Sequence, residues 1–236
     1  TPLPIWECVK CENYFVAGSL QDLNKYSFSP NKFFIARHGE ADHNINGYIA
    51  AGPEKGRPIV KLTEEGIRQI EKTARALKKE KIDIIYCSPY ARTKQTAKII
   101  AKATGAKVII EKQLGEINTG VFNGLLVSEY EKFFEKPIDK FFKSPLGGES
   151  LSDVKKRMLS ISKAINKNHV NKNILIVSHG EPLWMLEGAL KGLSNNEMGN
   201  FPYIRVGEWR KLEFNNWPYN QDGKIDLHRP FVDEIY

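Results

Sequence analysis

From Lys32 onward, short apolar runs alternate with longer stretches whose apolar residues recur every three or four positions. Residues 33–36, 82–86, 108–110 and 174–177 are too short for helices and rich in β-branched and aromatic side chains, which predicts buried strands. Thr63 followed by Glu64 and Glu65 predicts a helix start, with Ile67, Ile70, Ala74 and Leu77 forming its inner face. Ser88-Pro89 reads as an N-cap with proline at the first helical position, and Gly105 as the end of that helix. A short helix is expected over 127–136, an amphipathic one from Ser150 to about Lys167, and another over 181–190 closed by Gly192. Residues 208–214 alternate Trp209, Lys211 and Glu213 with Arg210, Leu212 and Phe214, the pattern of an edge strand. Residues 42–61, punctuated by Gly47, Gly52, Pro53, Gly56 and Pro58, read as a long loop, and 137–148 as irregular chain.

Strands separated by amphipathic helices predict an α/β fold with a mostly parallel central sheet covered on both faces. Ligands of such folds bind beyond the carboxyl ends of the strands. Polar clusters fall at those ends: Arg37-His38 after the first strand, Ser88 to Arg92 after the second, Glu116 after the third and His179 after the fourth. Together these side chains have the parts that phosphoryl transfer needs. Neutral imidazole is a nucleophile near neutral pH, guanidinium groups grip phosphate oxygens in a fork, and a carboxylic acid of raised pKa protonates the leaving oxygen. With arginines supplying the positive charge, no metal is required.

Four blocks then resemble the histidine phosphatase superfamily, the phosphoglycerate mutase-like fold, over residues 32 to about 215. They are RHGE at 37–40 with Asn44, LTEEG at 62–66, SPYARTKQTA at 88–97 and SHG at 178–180. The GGES loop at 147–150 is similar to a family loop as well. The resemblance implies a three-layer sandwich and a cofactor-free hydrolysis of small phosphorylated substrates. It makes His38 the nucleophile, Glu116 the proton donor and His179 the stabiliser of the transferring group. Arg37, Asn44, Arg92 and Gly180 become phosphate or substrate contacts. Ala41 stands where threonine is frequent in the family. Ile117, Asn118 and Thr119 replace the arginine and tyrosine that usually follow the acid in mutases, which favours a phosphatase. His43 reads as a loop histidine that is either solvated or a substrate contact, His169 as a surface loop residue, and Glu40 and Glu149 as either pocket or helix-capping residues. Specificity is expected in 47–58 and 130–146, where Phe133, Phe134, Phe141 and Phe142 serve either a pocket or the core.

The composition adds a second theme. The 236 residues are 41% hydrophobic and 27% charged, ordinary for a globular protein, with a net charge of +7 that favours anionic partners. No run of about 18 apolar residues offers a membrane span. The three cysteines do not form a disulfide framework: Cys87 ends an apolar strand as a buried thiol, while Cys8-x-x-Cys11 is half of a tetrahedral zinc site. Residues 1–11 and 18–23, and again 226–235, resemble two neighbouring segments of isoleucyl-tRNA synthetases. The resemblance implies a phosphatase domain at 31–215 inserted between synthetase flanks at 1–30 and 216–236, in a cytoplasmic parent chain that uses ATP and tRNA. Cys8 and Cys11 would then hold a structural zinc completed beyond Tyr236, and His228 would be structural. The missing initiator methionine is expected of such a fragment. The HIGH and KMSKS signatures are not in these residues, so the fragment is not expected to aminoacylate. Competing readings are a non-catalytic phosphate- or tRNA-binding insert, and a freestanding phosphatase or mutase.

Overall fold

The computed structural model describes residues 5–8, 13–16, 31–51 and 59–213. Strands β1 (Ile5–Cys8) and β2 (Asn13–Val16) pair antiparallel, with Ile5 opposite Val16 and Cys8 opposite Asn13. The zinc half-site expected at Cys8 and Cys11 lies outside the described residues, apart from the backbone of Cys8, and so does His228.

The second sheet holds β3 (Lys32–Arg37), β4 (Ile84–Cys87), β5 (Lys107–Ile110), β6 (Asn173–Ser178) and β7 (Trp209–Leu212) in the order β5-β4-β6-β3-β7. The first four run parallel and β7 pairs antiparallel with β3, so the sheet is mostly parallel as expected. Helices α1 (Asp42–Asn46), α2 (Glu64–Leu77), α3 (Ala91–Thr104), α4 (Val127–Glu131), α5 (Leu151–Lys167), α6 (Gly180–Leu190) and α7 (Asn195–Met198) connect them.

Alternation along each strand separates two cores. Phe34, Ala36, Ile85, Cys87, Leu175 and Val177 pack with Ile70, Ala74 and Leu77 of α2 and with Ala97 and Ile100 of α3. Phe33, Ile35, Ile174 and Ile176 pack on the other face, with Val154, Met158 and Ile165 of α5 and Leu183 and Leu186 of α6. The result is a three-layer α/β/α arrangement. Asn31 fastens the chain as it enters β3: its side-chain amide donates to the carbonyls of Asn166 (3.1 Å) and His169 (2.7 Å), and its oxygen accepts from Lys172 N (2.9 Å).

Several local expectations are corrected. Helix α3 starts at Ala91 with the extended Tyr90 as N-cap, not at Ser88-Pro89, and the Ser88 hydroxyl meets His179 (2.8 Å) and, more loosely, Tyr90 N (3.5 Å). Ile67 lies on the solvent side of α2 (37% exposed), while Gly66 and Thr73 are buried on the inner side. The long loop after β3 opens with helix α1, and residues Pro137–Phe141 make a 3-10 turn. Phe134 and Phe141 are buried while Phe133 and Phe142 are exposed. His169 is no free surface residue, since its Nε2 is 2.8 Å from the Tyr86 hydroxyl. Phe214 lies outside the described residues.

Candidate active site

The site follows from strand register. Arg37 at the end of β3 is level with Ser178 at the end of β6, so the next residues, His38 and His179, leave the sheet side by side. His38 N–H donates to Ser178 O (3.2 Å) and Ser88 N–H to Val177 O (3.1 Å), which keeps three strand ends at one height. The RHGE turn then passes over the start of α2. A Cβ on Gly39 would collide with the Gly66 carbonyl, and one on Gly66 with the Glu40 carbonyl. Glycine is needed at both because two backbones touch there. Thr63 closes the joint: its hydroxyl donates to Glu40 Oε1 (2.8 Å) and accepts from Gly66 N (2.9 Å). Glu40 is thus a brace for the helix start.

Both histidines are fully buried, with ring centroids 5.3 Å apart. His38 Nδ1 is 2.7 Å from the Gly39 carbonyl, so that nitrogen carries the proton and donates. Nε2 is left as a lone pair, which accepts from Arg92 Nε at 3.2 Å. The same guanidinium donates from Nη2 to His179 Nδ1 (3.0 Å) and to Ala50 O (2.9 Å). His179 therefore carries its proton on Nε2 and donates to the Ser88 hydroxyl (2.8 Å). Burial, then the charge of Arg92, hold both imidazoles well below the usual histidine range, so both are neutral. Arg92 is 2% exposed and lies under the Tyr90 ring at 5.0 Å.

Glu116 sits beyond β5 with Oε2 3.8 Å from His179 Nδ1, and its side chain is 11% exposed. Burial, then the charge of Glu181, push its carboxyl up to about 8, so it holds a proton at neutral pH. Its loop is held from below. Arg157 donates to the carbonyls of Gln113 (2.7 Å) and Glu116 (3.1 Å), and to both Glu149 oxygens (2.8 and 3.0 Å). Glu149 also accepts from Asn118 N (2.9 Å), so it is neither a pocket nor a capping residue but an anchor for this loop.

A cavity of about 220 Å³ is lined by Arg37, His43, Asn44, Arg92, Glu116, Thr119 and Glu181 among others; His38 and His179 are not part of its lining and connect to it through Arg92, which bonds both. Among the described residues, four buried side-chain polar atoms lack a hydrogen-bond partner, and three of them belong to residues lining this cavity: Arg37 Nε, His43 Nδ1 and Thr119 Oγ1. Buried polar groups are normally satisfied, so such a cluster marks a ligand position. His43 Nε2 is 3.2 Å from the Asn44 side-chain amide nitrogen and accepts from it, which places the proton on Nδ1 and makes the unmet atom a donor. Unmet donors around one cavity suit an acceptor-rich anion.

The structure brings Arg37, Arg92 and Glu116 to the wall of this space, with His38 and His179 hydrogen-bonded to Arg92. Asn44 lines it, but its oxygen is already used by Ala41 N (3.0 Å). Gly180 begins α6, and its missing Cβ makes room for the Tyr203 hydroxyl. Sequence reasoning did not assign Thr119, Glu181 or Tyr203 to the site, and it reached Ser88 only as part of a polar cluster at the strand ends and His43 only as the lesser of two readings. Glu181 had a signal, since SHGE at 178–181 repeats the pattern of RHGE at 37–40. Tyr203 had none: it arrives from the loop before β7, 5.4 Å below the Arg37 guanidinium.

Known proteins share this architecture. A Bacillus stearothermophilus protein, YhfR, superposes with a TM-score of 0.68 at 24% identity, covering 83% of this chain and 98% of its own. A mycobacterial glucosyl-3-phosphoglycerate phosphatase in complex with VO3 superposes with a TM-score of 0.67 at 22% identity, covering 76% of this chain and 90% of its own. In sequence, phosphoserine phosphatase 1 of Hydrogenobacter thermophilus is 31% identical over 175 residues, 72% of this chain and 81% of that protein. A protein of Photorhabdus laumondii named "Probable phosphoglycerate mutase GpmB" is 35% identical over 218 residues, 86% of this chain and 97% of that protein. The sequence profile of one family spans residues 33–220, and with it the chain belongs to the histidine phosphatase superfamily (branch 1).

Proposed function

We propose that the domain hydrolyses phosphomonoesters through a phosphohistidine on His38, with no metal in the reaction. The observation that carries this reading is the single guanidinium of Arg92 spanning His38 Nε2 and His179 Nδ1, beside a protonated Glu116. When a phosphate group enters, its oxygens take the donors of Arg92, Arg37 Nε, His43 Nδ1 and Thr119 Oγ1. His38 Nε2 is released as a lone pair and attacks phosphorus. The bond from phosphorus to the leaving oxygen breaks, and Glu116 gives that oxygen its proton. Water then attacks phosphorus, Glu116 takes back a proton, and the P–N bond breaks to restore neutral His38. The Nδ1–H bond to Gly39 O persists throughout and keeps the ring aimed. His179 acts by seating Arg92, its own orientation set by Ser88. Isotopic phosphate transfer trapped by an alkaline quench, followed by peptide mass spectrometry at basic pH because the P–N bond is acid-labile, should place the label on His38. Turnover that survives His38→Ala would sink the mechanism.

The flanks support a further reading on sequence resemblance alone: a parent isoleucyl-tRNA synthetase carrying this domain between residues 31 and 215, with zinc at Cys8 and Cys11, tRNA and ATP as partners of the parent, and a cytoplasmic location. The gene on either side tests it, since HIGH and KMSKS signatures and a second cysteine pair after Tyr236 are required. Retained phosphate affinity without a trapped phosphoenzyme would favour the non-catalytic binding insert instead. Among the described residues no helix is long and apolar enough to cross a membrane.

A further inference from the structure

Beside the phosphate cavity lies a second one of about 530 Å³. The two share four lining residues, Ile117, Tyr130, Glu181 and Tyr203. An aromatic series leads from one into the other. The Tyr203 ring lies 5.4 Å from the Arg37 guanidinium, Trp184 lies 5.8 Å from Tyr203, and Phe141 lies 6.2 Å from Trp184. Trp184 is fixed by its indole N–H, which donates to Phe201 O at 3.0 Å. Ile138 and Leu151 add to a mostly apolar lining that also carries Asn195 and Asn196. A volume of this order suits a drug-sized group, and a short hydroxy acid would leave most of it empty. The charges present do not suit a second anion. Beyond Arg37 and Arg92, neither cavity is lined by an arginine among the described residues. Lys140 is spent on Glu131 at 2.6 Å, Lys136 is exposed, and the shared wall carries Glu181, which accepts from the Tyr203 hydroxyl.

We infer that this cavity is the leaving-group site, and that the substrate class is phosphomonoesters of bulky, ring-bearing, largely apolar alcohols. The inference rests on the phosphatase reading and gives it a substrate class. The test compares 2-(1-naphthyl)ethyl phosphate with ethyl phosphate and phosphoserine on the whole chain; the alkyl leaving oxygens match, so intrinsic reactivity does not bias the result. Filling an apolar pocket should raise kcat/KM for the naphthyl ester by about tenfold or more over both small esters. Trp184→Ala should shrink that ratio mainly through KM. Because Trp184 also packs internally, Ile138→Asp, at a half-buried position on the cavity wall, provides a second variant with the same expected loss of ratio. Equal turnover of the naphthyl and ethyl esters, or preference for phosphoserine, would overturn the cavity assignment while leaving the phosphatase standing. No turnover of any ester and no label on His38 would overturn both.

Discussion

At the scale of single residues, the site separates two proton tasks by environment. His38 must be neutral to attack, and burial with Arg92 beside it keeps it so well into acid. Glu116 must be protonated to help the leaving group, and burial with Glu181 nearby keeps it so up to about pH 8. The sign follows directly: kcat for an alkyl ester should stay level from mildly acidic pH and fall as pH rises through about 8, where Glu116 ionises. Glu116→Gln should lower kcat/KM for ethyl phosphate by about 10²–10⁴-fold, the usual worth of a general acid. The same variant should affect p-nitrophenyl phosphate far less, because that phenolate leaves without a proton. Equal losses on the two esters would show that Glu116 serves binding or folding rather than proton transfer. Replacing Glu181 by Gln should move the basic limb of the profile to lower pH, since the neighbouring charge that raises Glu116 is gone.

At the scale of elements, the strand ends were legible because their grammar is local. The apolar runs at 33–36 and 174–177 end in RHG and SHG, and parallel register brings those ends together without further information. What was not legible depends on contacts between distant elements. Ser88 reads as a helix cap, yet its hydroxyl belongs to His179 across the sheet. Ile67 fits the helical period, yet α2 is rotated so that Gly66 faces inward, against the carbonyl of Glu40. That close approach is where α2 sets the height of His38. Gly66→Ala should therefore cost about 1–3 kcal/mol of stability by forcing the two backbones apart. It should also lower kcat through a displaced nucleophile, with KM less affected. Ile67→Ala, one residue away on the exposed side, should change stability by no more than about 0.5 kcal/mol. Denaturant midpoints and steady-state kinetics of the two variants check this, and similar losses in both would refute the packing account.

For the whole molecule, a three-layer core closed on two faces places three histidines where protons cannot easily follow. His38 and His179 are fully buried and held well below 6.5, and His43 is lowered to about 3 by burial and by Arg92 and Arg37. In the unfolded chain the same groups take up protons near pH 6.5. A depressed folded pKa contributes stability that is present above the unfolded value and lost as pH falls, so acid sensitivity should begin near 6.5, well above ordinary carboxylate titration. Glu116 runs the other way: its raised folded pKa contributes stability that is full below 4.5 and lost as pH rises through about 8. Stability should thus decline on both sides of neutrality. The acid side should be the steeper, since two fully buried histidines each add up to about 1.4 kcal/mol per pH unit while only the unfolded state is protonated. Urea unfolding at about pH 7, 6 and 5 should show a falling midpoint with an unchanged slope, and His43→Gln should remove part of that fall. In Glu116→Gln, where the opposing carboxyl contribution is removed, a midpoint that holds level down to about pH 5 would mean that these imidazoles are protonated in the folded state, and then His38 could not be the nucleophile at those pH values.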